Sequence, residues 1–169
     1  DPNFELWSQT ARAMALEAIH KGIGDKIAFD IWNAPNGRAL THPQSKGCSE
    51  SVWENVTGPN GTLASQAELT ALFFGSWDAA VHSIRAVLPN AIIIGPSLAD
   101  GGPGIDGWAD VKPWLQQFLR HTHAQHTSPD RLTWHFSTRS LTLLEDQHAE
   151  LRAWAVAEGI PLGRIGHNE

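Results

Sequence analysis

Ile27-Ala28-Phe29-Asp30-Ile31-Trp32-Asn33-Ala34-Pro35-Asn36 joins an apolar run to a polar cluster. Its first part, a strand from about Lys26 to Trp32, is more apolar than alternating, as expected of a parallel strand covered on both faces. A polar Trp-Asn-x-Pro-Asn cluster then closes it. Upstream, Leu6, Trp7, Ala11, Met14, Ala15, Ala18 and Ile19 recur at spacings of one, three and four. That spacing predicts a helix ending at Lys21-Gly22.

Downstream the alternation continues. Residues 35 to 66 form a long loop rich in Gly, Pro, Asn and Ser, of a length usually reserved for function. Leu69, Leu72, Phe73, Trp77, Ala80, Val81, Ile84 and Leu88 predict an amphipathic helix terminated by Pro89-Asn90. Ala91 to Pro96 reads as a strand, Val111 to Leu119 as a helix that ends near the histidines, Arg131 to Phe136 as a strand, Leu144 to Glu158 as a helix and Leu162 to His167 as a last strand. Strands separated by helices argue for right-handed crossovers in a parallel sheet, an α/β fold.

At 169 residues, 41% hydrophobic and 18% charged, the composition is that of one globular domain. The formal charge of −6 lacks the basic excess that would favour nucleic acid. No apolar run approaches the roughly 18 residues needed to cross a bilayer, so no membrane partner is expected. Cys48 has no second cysteine to pair with and no ligand at zinc spacing. Asp1-Pro2-Asn3 shows no leader, and one removed upstream keeps a secreted or periplasmic location open.

The quoted segment resembles the Trp-Asn-Glu-Pro-Asn stretch of clan A glycoside hydrolases, most closely family 39 and its relatives, and only Ala34 departs from it. The resemblance implies a (β/α)8 TIM barrel in which this chain covers roughly strands four to seven. Residues 1–169 would then be part of a single TIM-barrel catalytic domain, because a complete barrel takes about 250 residues. It also implies that position 34, at the end of the fourth strand, belongs to the general acid/base Glu, and that Glu169, after the seventh strand, is the nucleophile. Asn33 matches the clan's Asn that bonds the sugar 2-hydroxyl, and Asn36 is carried over with it as substrate-binding. His135, at the end of the sixth strand, stands where the clan often places a His or aromatic; a buried structural His is the rival reading. Trp32 and Trp134 are open between sugar stacking and core.

Two carboxyls about 5 to 5.5 Å apart carry out retaining glycoside hydrolysis, one as proton donor and one as nucleophile. A methyl group at Ala34 cannot transfer a proton. The expected function is therefore a retaining hydrolase of O-glycosidic bonds in an oligo- or polysaccharide, inactive or severely impaired by a Glu→Ala replacement. The alternative is a carbohydrate-binding pseudoenzyme with a native Ala34. Expected partners are a carbohydrate substrate and the remaining barrel segments, from the same protein or another chain. No cofactor is expected, since Gly101-Gly102-Pro103-Gly104 lacks a dinucleotide or phosphate-loop pattern. No metal is expected either: His121, His123 and His126 sit on a helix end at spacings that do not converge, and a solvated helix end is the reading adopted. Asn55-Val56-Thr57 and Asn60-Gly61-Thr62 are formal glycosylation sequons, attributed to chance.

Overall fold

The computed structural model describes residues 4–32, 56–58, 61–98, 108–135 and 140–167. Four helices and four strands alternate: α1 (Glu5–His20), β1 (Ala28–Asp30), α2 (Gln66–Arg85), β2 (Ile92–Leu98), α3 (Trp108–Ala124), β3 (Arg131–Trp134), α4 (Leu141–Ala157) and β4 (Arg164–His167). All eight correspond to the segments expected from apolar periodicity. Their ends differ. Helix α2 begins three residues before Leu69 because Ser65 and Glu68 form a reciprocal capping box. Helix α4 begins at Leu141 because the Ser140 side chain accepts from the Leu143 N–H. Strand β1 is shorter than expected, and β2 runs beyond Pro96, where the register with β3 shifts between Pro96 and Leu98.

The sheet is wholly parallel and its spatial order, β1-β2-β3-β4, is the order of the chain. Each crossover moves one strand further in the same direction, so crossovers of one hand place every helix on the same face. Alternation along the strands agrees. Phe29, Ile93, Leu98, Leu132 and Trp134 are buried in one core with helix residues Ala15, Phe73, Trp77, Phe118 and Leu151. The intervening Ala28, Asp30, Arg131 and Arg164 are exposed. The expectation of strands covered on both faces is met on the helix-packed face; on the other, Ala28, Asp30, Arg131 and Arg164 are exposed while Ser97 and Thr133, nearer the carboxyl ends, are buried.

Trp77 anchors the core. It is fully buried, meets Phe118 edge-on at 4.8 Å and donates from Nε1 to the Thr127 carbonyl at 2.9 Å. Its ring also explains Gly95. At φ 138° that residue occupies backbone space closed to most side chains, and a Cβ there would lie 2.7 Å from the Trp77 ring. Replacing Trp77 by Ala is expected to cost about 3–5 kcal/mol through the cavity and the lost hydrogen bond. The measurement is the urea midpoint, falling with little change in m value.

Candidate functional site

In a parallel sheet all carboxyl ends lie on one side, and crevices there take ligands in open and closed α/β folds alike. Side chains from three strands meet on the bare face close to this end. Asp30 in β1 accepts from the Ser97 hydroxyl of β2, at 2.9 Å on Oδ1 and 2.8 Å on Oδ2. Ser97 Oγ lies 2.9 Å from Thr133 Oγ1 in β3. A carboxylate only accepts, so the Ser97 proton points at Asp30 and the Thr133 hydroxyl donates to Ser97. Ser97 is fully buried and holds φ 51°, a left-handed conformation that costs a non-glycine residue roughly 1–3 kcal/mol unless its surroundings enforce it. These hydrogen bonds supply that enforcement.

Sequence reasoning missed this polar floor. One signal was present: Arg131-Leu132-Thr133-Trp134 alternates polar and apolar, which marks one polar and one apolar face.

His135 stands at the carboxyl end of β3, as expected, half-buried, with its backbone N–H donating to the Leu98 carbonyl at 2.7 Å. Trp32, open between sugar stacking and core, is half-buried beside the helices. Its ring stacks on Trp7 of α1 at 4.9 Å with a 21° tilt, and Nε1 donates to Ser76 Oγ of α2 at 3.1 Å. These contacts join the side chain to α1 and α2. Trp134 is resolved the same way: 1% exposed, stacked on Trp108 at 5.7 Å and edge-on to His148 at 5.3 Å. Both tryptophans occupy the helix-covered side. Asn33, Ala34, Asn36, Cys48, the sequon residues Asn55 and Asn60, the loop 101–104 and Glu169 lie outside the described residues.

The solvated helix end expected for the three histidines is corrected at His121. Its Nε2 lies 2.7 Å from Asp78 Oδ2 of α2, and its ring stacks on Phe74 at 4.6 Å. Asp78 also accepts from Thr127. His121 therefore ties α3 to α2. The carboxyls held below their ordinary range are helix-surface groups as well: Glu68 by Ser65, Glu150 by Lys112 and then Trp108, and Glu158 by Arg120. These hydrogen bonds cap α2 or link α3 to α4.

Solved structures sharing this arrangement include the protein N2152 from Neocallimastix frontalis, with a TM-score of 0.63 and 20% identity over 97% of this chain and 32% of that one. A GH39 β-xylosidase from Caulobacter crescentus matches at 0.56 and 17% identity, over 95% of this chain and 28% of that one. A monomeric β-xylosidase from Caulobacter crescentus CB15 matches at 0.60 and 16% identity, over 98% and 30%. The chain spans about a third of the length of these proteins. No protein-family model and no curated protein sequence matches it. The chain thus has the fold of a segment of glycoside hydrolases: a parallel α/β sheet with helices on one face. None of the described helices is long and apolar enough to cross a membrane.

Proposed function

We propose that this chain is the strand-four-to-seven arc of a (β/α)8 barrel, and that the barrel is a retaining glycoside hydrolase whose acid/base position is occupied by Ala34. One observation carries the reading. Ala34 and Glu169 follow the last residues of β1 and β4 by four and two positions, so both motifs leave the same end of one parallel sheet. Sequential strand order and one-sided helices support the barrel, since a doubly wound sheet reverses direction and carries helices on both faces.

In this mechanism the Glu169 carboxylate attacks the anomeric carbon as the glycosidic C–O bond breaks, giving a covalent glycosyl-enzyme. The leaving oxygen needs a proton, which a glutamate at position 34 would supply before taking one back from the attacking water. Ala34 supplies neither. Asn33 would bond the sugar 2-hydroxyl, with Asn36 and His135 at the rim of the site. The names of the two Caulobacter structures make β-xylosides the first substrates to try. Turnover of an aryl β-xyloside by the full-length protein carrying Ala34→Glu tests the reading. Sugar binding without turnover in that variant would instead assign a binding protein, the alternative that Ala34 itself favours.

An arc also has two open parallel edges. The 169 residues alone are expected not to form a stable monomer, because edge backbone groups and half a core lack partners. Amide exchange along residues 28–30 and 164–167 measures this. Strong protection in a dilute, cooperatively melting monomer would replace the barrel by a small open sheet.

A further inference from the structure

We propose that the bare face of the sheet is completed by βα units presenting carboxylate side chains to Arg131 and Arg164, an inference that rests on the barrel reading. The two arginines are Cα register partners on adjacent strands. Both project from the uncovered face: Arg131 alternates with the buried Leu132, and Arg164 with Ile165, which packs against the core. Both are exposed, and among the described residues neither forms an ion pair. Like charges directly opposite one another across a ladder repel.

The carboxylate next to Arg131 in the sequence is already engaged. Asp130 accepts from the Ile93 N–H at 2.8 Å and from Arg85 at 3.2 Å. Asp130, Arg131 and Arg164 border a cavity of about 680 Å³ at the amino ends of the strands, with Ile92 and Gly163 in its wall. On the bare face itself Ala28, Ile92 and Ile94 are apolar, so they offer the guanidiniums no acceptor.

Closing a barrel fills its interior with layers of side chains. Two guanidiniums taken out of water there require opposite charge with good geometry, because unpaired buried ions are heavily penalised. A second copy of this chain does not provide it. On the described part of that face it would offer the carboxylate of Asp30, which shares a register row with Arg131 and Arg164 but already accepts from Ser97 through both oxygens. The complementary surface is therefore a non-identical set of strands, acidic opposite Arg131 and Arg164 and apolar where it meets Ile92 and Ile94.

The test uses the full-length protein, its Arg131→Met/Arg164→Met and Arg131→Lys/Arg164→Lys double variants, thermal and urea unfolding at pH 7 and pH 5, and amide exchange at the β1 and β4 edges. The Met variant should lose about a hundredfold or more in folding equilibrium constant at pH 7, as expected when a buried pair loses one partner. The sign with pH discriminates. Carboxylates facing arginine have depressed folded pKa values and stabilise above the carboxylate range. Facing methionine they are desolvated with raised values, so the gap between the variant and the parent should narrow at pH 5. The Lys variant, which keeps the charge, should retain most of the stability even if the Met variant fails to fold at pH 7. Protected edges with a Met variant as stable as the parent at both pH values, or equal losses in the Lys and Met variants, would overturn the inference while leaving the barrel standing. A loss confined to phosphate buffer and absent in chloride would also overturn it, assigning the site to a small anion. Unprotected edges would sink the barrel reading, and this inference with it.

Discussion

Ala34→Glu in the full-length protein is expected to raise turnover of an aryl β-xyloside by about 10²–10⁴-fold, the usual contribution of a positioned general acid/base. The gain should be largest for poor leaving groups, because a glycoside whose alkoxide leaves only when protonated depends most on the missing carboxyl. Substrates with an activated phenolate should gain least. The pH profile should change as well. Turnover in the variant should fall on the basic side as the new carboxyl ionises, whereas the Ala34 protein has no such limb, since a methyl group does not titrate. A variant that binds xylosides yet shows no gain with any leaving group would make Ala34 the native residue of a binding protein.

Glu169→Gln, placed in the Ala34→Glu background, should abolish covalent trapping by a 2-fluoroglycoside while leaving sugar binding nearly intact. An amide has no carboxylate to attack the anomeric carbon, but it keeps the size and much of the hydrogen bonding of the acid. Intact-mass spectrometry reads the adduct, and peptide mapping locates it. An adduct on another carboxyl, for instance Asp30, would move the nucleophile to that residue. Asp30 is the competitor the structure offers, since it is the last residue of β1, and its double contact with Ser97 argues for a supporting role instead.

The helices and the position of each strand along the chain were legible because each rests on local chemistry. Phe73, Trp77, Ala80, Val81 and Ile84 fall on one face at a period of 3.6, and all five are buried along α2. The capping box was equally local: Ser65-Gln66-Ala67-Glu68 has the spacing that places α2's start three residues before its first apolar anchor. The end of β2 was not. Gly95-Pro96 reads as a stop, because proline gives no ladder donor. Ser97 and Leu98 nevertheless continue the strand across a register shift set by β3.

The alternation of helix and strand and the polar segments after β1 and β4 are properties of neighbouring residues and of period, and so can be read without coordinates. Tertiary structure alone decided which way each side chain faces. Trp32 belongs to a promising motif, yet its ring lies between Trp7 and Ser76 because the covered face of the sheet is the one it meets. Asp30 sits within an apolar run and is the acceptor for Ser97. That hydrogen bond spans 67 residues and exists only once parallel pairing brings β1 and β2 side by side. Periodicity identifies a face; the register between strands settles what the face meets.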